Sequence, residues 1–176
     1  MDEHTLRAVE NVPISGQPIG QATDLIAALA AIKQAAALAN ADLGLLDGAR
    51  RDAIVAACEE IRAGKLHDQF VVDQIQGGAG TSTNMNANEV IANLALRLLG
   101  RPRGDYAALN PNDHVNLSQS TNDVYPTAVR LTVLRACPEL IEAQRALVAA
   151  LMAKAVEFDD VIKVGRTQLM DAVPMR

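Results

Sequence analysis

The sequence predicts a mainly α-helical protein, on the basis of apolar periodicity, the placement of turn residues and one very long helical stretch. Apolar residues recur at the i, i+3, i+4, i+7 spacing of a helix face, for example at Ile54, Ala57, Cys58 and Ile61. Glycine and proline interrupt such segments at intervals that suit loops between helices. After a polar cluster that ends at Asp123, a helical stretch of roughly 35 residues runs to Phe158. We therefore expect a set of shorter helices followed by one long helix.

The first two predicted helices have sequence signals at both ends. Residues 1–20 are too rich in proline and glycine for a long helix. Thr23 can cap the segment that follows, which is expected to end near Gly44. The second helix is predicted to start near Asp47 and to end before Gly64, since glycine suits the left-handed residue just beyond a helix.

The third and fourth helices follow polar loops. Asn88 is predicted to cap the third helix, and Gly100 and Pro102 to end it. The fourth helix is the long one, in whose first turn Pro126 is tolerable. Pro138 lies farther along, where proline is expected to bend or restart a helix.

The composition excludes several classes of protein. Hydrophobic residues make up 49% and charged residues 21% of the 176 residues, which is typical of a globular chain. The net charge is −5 and no block of Lys or Arg occurs, so we expect no nucleic-acid partner. No uninterrupted apolar stretch of about 18 residues exists, and the start MDEHTLRAVENV lacks the apolar segment of a signal peptide. We therefore expect no membrane span. Cys58 and Cys137 lack metal or redox spacing and fit two buried, reduced thiols of a cytoplasmic protein.

The apolar residues are small, which favours association between helices. Two Tyr and two Phe are the aromatic residues, and much of the apolar fraction is alanine, which buries little area per residue. Along the long helix, apolar residues step by three and four, as in a seam that packs on partner helices: Leu140, Ala143, Leu147 and Ala150. We expect these partner helices to come in part from other subunits.

Two dense clusters of neutral polar residues lie beside predicted helix starts, at residues 81–86 and 118–123. Hydroxyls, amides and backbone N–H groups at a helix N-terminus can bind an anion, helped by the helix dipole. Such donors can also stabilise negative charge that develops on a carboxylate in a transition state. An alternative is that these residues only cap helices and fix loops.

Two other kinds of site are not supported by the sequence. The glycine-rich stretch at 77–82 lacks the lysine of a phosphate-binding loop. His4, His67 and His114 are far apart and lack the spacing of metal ligands. We therefore expect neither a metal site nor a cofactor.

Four stretches resemble the aspartase/fumarase superfamily, whose members add or eliminate a group across fumarate. They are HTLRAVEN, GGAGTSTNMNANEVIANLAL, LNPNDHVNLSQSTNDVYPT and KVGRTQLMDAVPM, in the order that the superfamily has. The resemblance spans nearly the whole chain. It implies a small N-terminal helical domain at 1–120, followed at 121–176 by the first part of a central bundle of long helices.

Within the superfamily, three details resemble the ammonia-lyases that act on aspartate more than the class II fumarases. Fumarases usually carry histidine at the positions of Asn110 and Gln168, and the opening HTLRAVEN has the ammonia-lyase form. The resemblance thus implies reversible elimination of ammonia from L-aspartate to give fumarate. A fumarase-like hydratase and a non-catalytic helical oligomerisation fragment remain as alternatives.

The resemblance also implies which side chains bind the dicarboxylate substrate. In the superfamily a proton leaves Cβ, an aci-carboxylate dianion forms, and ammonia is then expelled. Six residues match substrate-binding positions: Thr81, Ser120 and Thr121 at the carboxylate where charge develops, Asn122 near the departing amine, and Thr167 and Gln168 at the other carboxylate.

Complete superfamily members are longer than this chain and form homotetramers in which three subunits build each active site. The flexible serine-rich loop that supplies the general base lies beyond the region that this chain matches. We therefore expect no catalytic residue in this chain, which resembles an N-terminal fragment, and no activity of the isolated chain.

Overall fold

The mainly α-helical fold is confirmed in a computed structural model, which describes residues 3–76 and 78–176. Within these residues the α-helices and strands are α1 (Glu3–Asn11), α2 (Thr23–Asp42), α3 (Gly48–Arg62), α4 (Thr81–Leu98), α5 (Thr121–Glu157), β1 (Lys163–Thr167) and β2 (Met170–Met175). Short 3-10 turns occur at Ile19–Gln21 and His67–Gln69, and a π-helical turn occurs at Pro111–Val115.

The chain divides into two compact units, Met1–Arg135 and Ala136–Arg176. The first unit holds α1 to α4 and the beginning of α5, and the second holds the rest of α5 and the β1–β2 hairpin. Because α5 is continuous across this division, the domain boundary at 120/121 stays a prediction.

The core of the first unit lies between α2, α3 and α4, which pack against one another. Each helix contributes branched apolar side chains that are fully buried, among them Ile26 and Leu29 of α2, Ile54 and Ile61 of α3, and Ile91 and Leu96 of α4. Burying a side chain of this size contributes about 1.5–3 kcal/mol. These three helices therefore form the scaffold that carries the polar loops.

Helix α2 is long and apolar enough to cross a membrane, by length and composition. It packs against α3 and α4, however, and Leu25, Ile26 and Leu29 are buried there. Its position is that of a core helix, and it also buries the polar side chains of Lys33 and Asn40.

Two of the predicted helix ends are confirmed at α3. The Asp47 carboxylate accepts a hydrogen bond of 3.0 Å from the backbone N–H of Arg50, as an N-cap residue does. Gly64 has a φ of +91°, in the left-handed region just beyond the helix. The cap predicted at Thr23 is wrong, because Ala22 holds the N-cap position of α2 and no side chain bonds there.

Helix α4 begins at Thr81 with Gly80 at its N-cap, so the cap expected at Asn88 is wrong. Asn88 is fully buried in the helix, and its amide N–H donates to Asn116 at 3.2 Å. Asn84, one turn earlier, donates to the same oxygen at 3.2 Å. Polar residues that suggested a loop therefore face inward on a helix, where tertiary hydrogen bonds satisfy them.

Helix α1 is attached to α4 by the carboxylate of Glu89. This buried side chain accepts hydrogen bonds from the backbone N–H groups of His4 (3.0 Å) and Thr5 (3.1 Å) and from the Thr5 hydroxyl. The first N–H groups of a helix have no acceptor within it, and a negative charge there also suits the helix dipole. Glu89 therefore fixes the start of α1 against α4.

The loop before α2 is held by Asp73. Its carboxylate accepts hydrogen bonds from the Ser15 hydroxyl (2.7 Å) and from the backbone N–H groups of Ser15 (2.7 Å), Gly16 (2.8 Å) and Ile75 (2.8 Å). These bonds, the Ser15 hydroxyl first among them, lower the pKa of Asp73 to about 2. The charged carboxylate thus joins two loops of the first unit.

In the second unit, α5 continues through Pro138 without a break, so the predicted restart does not occur. The hairpin that follows is antiparallel, with Lys163 opposite Met175 and Thr167 opposite Met170, and a bulge between Val164 and Arg166. The apolar seam predicted along α5 is solvent-exposed over its length.

Candidate functional site

The starts of α4 and α5 lie side by side in the first unit. The amide N–H of Asn84 donates to the Thr121 hydroxyl oxygen at 3.2 Å. Gly80, at the N-cap of α4, faces the ring of Tyr125, since a Cβ on this glycine would lie 2.6 Å from the ring carbons. Two polar clusters that are 37 residues apart in sequence therefore meet as adjoining helix N-termini.

Four of the six candidate residues lie on these two helix starts. Thr81 is the first residue of α4. Ser120 directly precedes α5, and Thr121 and Asn122 are the first two residues of that helix. Thr81, Ser120 and Asn122 are exposed and Thr121 is half-buried, so all four are accessible in this chain. Their neutral donors and the two helix dipoles favour an anion at this place.

Ser120 caps α5, which is the role that the alternative interpretation of the polar clusters predicts. Its hydroxyl oxygen accepts the backbone N–H of Asn122 at 3.2 Å, and its carbonyl accepts those of Asp123 and Val124 at 3.1 and 3.0 Å. A hydroxyl that accepts one hydrogen bond still has its own hydrogen to donate. Capping and anion binding are therefore compatible at Ser120.

Thr81 stands at a helix start that no side chain caps within residues 3–76 and 78–176. The first N–H groups of such a helix lack intrahelical acceptors. A pocket of about 240 Å³ lies here between the start of α4 and α1, lined by His4, Arg7, Asn11, Thr81, Ser82 and Met85 among others. The uncapped N-terminus therefore opens into a pocket with a cation at its wall.

Arg7 is a cationic residue of this pocket to which the sequence motifs assigned no role. Its guanidinium is largely exposed and pairs with Glu3 on the same helix. The signal was present in HTLRAVEN, but the approach of α1 to α4 depends on Glu89 and cannot be deduced from local spacing. Arg7 adds a positively charged side chain to the pocket that Thr81 also lines.

The remaining two candidates, Thr167 and Gln168, belong to the second unit. Thr167 ends β1, and Gln168 lies in the turn to β2 with a φ of +54°. Both are exposed. A left-handed conformation is uncommon for a residue with a side chain and often marks a functional turn. Their part in binding substrate stays a prediction, as does that of the other four.

The π-helical turn next to the site is organised by Asn110 and His114. The Asn110 amide oxygen accepts the backbone N–H groups of Asn112 and Asp113 at 2.8 and 3.1 Å. His114 Nδ1 lies 2.8 Å from the Asn110 N–H and accepts from it, which leaves the ring proton on Nε2. Burial first, and the charge of Arg50 second, lower the pKa of His114 below its usual value. Neutral His114 and Asn110 thus stabilise the turn.

No group of three or more His, Cys, Asp or Glu side chains that could hold a metal ion occurs within 3–76 and 78–176. Another pocket, of about 260 Å³, lies between the 3-10 turn at 67–69 and one face of α4. None of the six candidate residues lines it. The expectation of no metal and no cofactor stays a prediction.

Comparison with known proteins places the chain in a family. The sequence profile of a family described as Lyase matches residues 1–176. Aspartate ammonia-lyases of Pseudomonas aeruginosa and Bacillus subtilis are 56% and 55% identical, over 97% and 98% of this chain. The chain spans 36% of the length of these relatives.

Solved structures agree in fold. A fumarate lyase:delta crystallin from Brucella melitensis matches with a TM-score of 0.89 at 58% identity, covering 99% of this chain and 41% of that one. A class II fumarase from Schistosoma mansoni matches with a TM-score of 0.85 at 38% identity, covering 98% of this chain and 36% of that one. The superfamily resemblance carried by the sequence motifs is thereby confirmed, and the chain belongs to the lyase family.

Proposed function

We propose that this chain forms the N-terminal part of an aspartate ammonia-lyase, which eliminates ammonia from L-aspartate to give fumarate and runs in both directions. The observation that carries the proposal is that two helix starts rich in neutral hydrogen-bond donors lie together: the start of α4 at Thr81 and the start of α5 at residues 120–122. Relatives at 55–56% identity that bear the name aspartate ammonia-lyase support it.

In the proposed reaction a base removes a proton from Cβ of aspartate, and the electron pair moves into the neighbouring carboxylate. The aci-carboxylate that forms carries two negative charges until its extra electron pair forms the Cα=Cβ double bond. The Cα–N bond then breaks, and the ammonium group takes the bonding pair and leaves as ammonia. Hydroxyl donors of Thr81, Ser120 and Thr121 stabilise this charge, and each such donor is worth about 2–4 kcal/mol in the transition state. The base is not assigned to any residue of this chain.

The remaining contacts follow from the same assignment. Asn122 lies at the start of α5, where its amide can meet the departing amine. Thr167 and Gln168 bind the second carboxylate from the hairpin turn. The substrate is thus a small dicarboxylate, bound without a metal or cofactor. We also propose a cytoplasmic homotetramer, in which partner subunits cover the exposed apolar side chains of α5, such as Leu147 and Leu151.

A fumarase-like hydratase is the second candidate. The 38% identity to a class II fumarase, against 55–56% to aspartate ammonia-lyases, ranks it lower. Asn110 and Gln168, where fumarases usually have histidine, point the same way. The amide oxygen of Asn110 is already used as a cap of the π-helical turn.

A chimera tests the proposal. This chain would replace the matching segment of the Bacillus subtilis relative, and the purified chimera would receive aspartate or malate. We expect fumarate to form from aspartate, seen as ultraviolet absorbance, and no fumarate from malate. Fumarate from malate instead would favour the hydratase.

Two controls distinguish the enzymatic proposal from the alternative of a non-catalytic oligomerisation fragment. The isolated chain should form no fumarate from aspartate, and mixing it with the missing C-terminal polypeptide of the relative should restore activity. A folded chimera that acts on neither substrate would contradict the enzymatic proposal and favour an oligomerisation fragment.

A further inference from the structure

Lys33 is a fully buried lysine in the middle of α2. Its Nζ donates to the side-chain oxygen of Asn116 at 2.7 Å, and no ion pair of Lys33 occurs within 3–76 and 78–176. Burial lowers the pKa of Lys33 to about 7. A buried amine that meets a neutral amide costs desolvation without the return of an ion pair. Nothing in the proposed chemistry uses this side chain.

Helix α2 holds the loop after the π-helical turn with two side chains. Lys33 contacts Asn116, and the amide N–H of Asn40 donates to the carbonyl of Leu117 at 2.9 Å. Residues seven apart lie on the same helix face, two turns from each other. The face of α2 that carries Lys33 and Asn40 therefore forms hydrogen bonds with two successive residues of the loop.

Helix α4 holds the same loop from the other side. The amides of Asn84 and Asn88, one helical turn apart, both donate to the Asn116 oxygen at 3.2 Å. Asn84 also donates to the hydroxyl oxygen of Thr121. Asn116 itself donates to the carbonyl of Gln119 at 3.2 Å. Asn116 is thus the hub that joins α2, α4 and the start of α5.

Two acceptors of the cluster lack a donor within the described residues. The amide oxygens of Asn84 and Asn88 are buried and accept no hydrogen bond within the described chain. The amine of Lys33 supplies at least two N–H donors, one of which it gives to Asn116 at the shortest of the three contacts to that oxygen. Its removal would leave the Asn116 oxygen to two longer contacts of 3.2 Å.

We propose that Lys33 is a positioning residue for the loop at residues 116–120: through Asn116 it fixes Asn84 and the Thr121 hydroxyl, and thereby the start of α5. The effect on substrate rests on the proposed function, in which Thr121 binds the carboxylate. The effect on the loop itself does not depend on any substrate.

Hydrogen exchange on the 176-residue chain tests the loop. Lys33→Met removes the donor and keeps the side-chain length, and Ile54→Val in the neighbouring α3 is the control for a lost core contact. In Lys33→Met, the amides of Asp123 and Val124 should exchange about tenfold faster than in the control at equal global stability, since a buried hydrogen bond is lost. Equal exchange in the two variants would overturn the proposal.

Asn116→Ala breaks the same link from the loop side, at a half-buried position. It serves where Lys33→Met does not fold, because it changes the loop and leaves every residue of the core helices α2, α3 and α4 in place. The same faster exchange at Asp123 and Val124 is expected, and unchanged exchange would contradict the proposal.

The chimera provides the catalytic readout. Lys33→Met should lower kcat/KM for aspartate by about tenfold, and in a Thr121→Ala background it should lower it much less, because both changes act on one hydroxyl. Ile54→Val should lose little in either background. Equal and additive losses for Lys33→Met would overturn the proposal. Where the unsubstituted chimera is inactive, the proposed function fails, and the exchange experiment alone decides the positioning role.

Discussion

At the scale of single residues, the candidate site depends on how closely the start of α4 approaches α5. Gly80 has a φ of +81°, and a Cβ there would lie 2.6 Å from the ring of Tyr125. Gly104 has nearly the same backbone conformation, with a φ of +80°, but an added Cβ would meet nothing within 4 Å. Substituting each glycine by alanine therefore distinguishes the cost of the left-handed backbone, which both share, from the cost of the contact with Tyr125, which only Gly80 has.

Gly80→Ala should destabilise the chain more than Gly104→Ala. The left-handed conformation costs alanine about 1–2 kcal/mol at either place. At position 80 the contact with Tyr125 adds about 1–3 kcal/mol, as overpacking does. Urea unfolding of both variants measures the difference, and equal losses would mean that Tyr125 moves away without cost.

Thr81→Ala in the chimera should lower kcat by roughly 10²–10³, the effect of losing one donor to a developing negative charge. Thr127→Ala, at an exposed threonine of α5, is the matched control and should leave kcat unchanged. Steady-state rates with aspartate measure both. Turnover by Thr81→Ala at the level of the control would contradict a role for this hydroxyl in the transition state.

At the scale of elements, local signals predicted α3 well and α4 poorly. Asp47 and Gly64 act on backbone groups within a few residues of themselves, so sequence alone located both ends of α3. The start of α4 depends on Asn88 and its partner Asn116, which are 28 residues apart. A run of threonine, serine and asparagine reads as a loop until such partners bury it.

The candidate site shows the same division. The motifs of the superfamily supplied Thr81 and residues 120–122, and the fold then placed them on adjoining helix starts. Arg7 and Lys33 received no role, because each depends on contacts between elements: Arg7 on the docking of α1 against α4, and Lys33 on the loop at Asn116. Side chains that act through a tertiary contact leave no local pattern.

The hydrogen bonds by which the Asp73 carboxylate joins two loops predict that the free energy of unfolding depends on pH in the acid range. The folded pKa of Asp73 is about 2, below its ordinary value of 3.8. A carboxyl group with a lowered folded pKa stabilises the fold above pH 3.8, and this contribution is lost as the pH falls toward 2. Asp73→Asn should therefore be less stable than wild type at neutral pH, and the difference should shrink over this range.

Urea unfolding at several acidic pH values measures this difference. Asp52→Asn is the control, since Asp52 is largely exposed and bonds to a neighbouring arginine on the same helix. A constant gap between Asp73→Asn and wild type across the range would show that the charge of Asp73 does not stabilise the loops.

At the scale of the whole molecule, the two units differ in how they use apolar residues. The first unit buries its branched side chains among α2, α3 and α4. In the second unit the apolar side chains of α5 and of the hairpin are exposed, including Leu140, Leu151 and Val173. The stability of the isolated chain should therefore come mainly from the first unit, in which the buried Lys33 and Cys58 lie.

These two buried groups predict how global stability depends on pH above neutrality. Burial lowers the pKa of Lys33 from 10.5 to about 7 and raises the pKa of the Cys58 thiol from 9.0 to about 12. Between about pH 7 and 9 the unfolded chain holds the Lys33 proton and the folded chain does not, so stability rises with pH by up to about 1.4 kcal/mol per unit. Above pH 9.0 the unfolded chain loses the Cys58 proton that the folded chain keeps, which opposes the rise. Above pH 10.5 the folded and unfolded chains both lack the Lys33 proton, so Lys33 no longer raises stability with pH. The Cys58 difference remains, and stability therefore falls.

Urea unfolding of wild type and two variants across this range separates the contributions. Lys33→Met should abolish the rise above pH 7, whereas Cys58→Ala should keep it and extend it toward pH 10.5. Lys65→Met is the matched control, because the side chain of Lys65 lies at the surface of the same unit. If Lys33→Met keeps the wild-type slope, then Lys33 is charged in the folded chain, and water must reach its amine in the core.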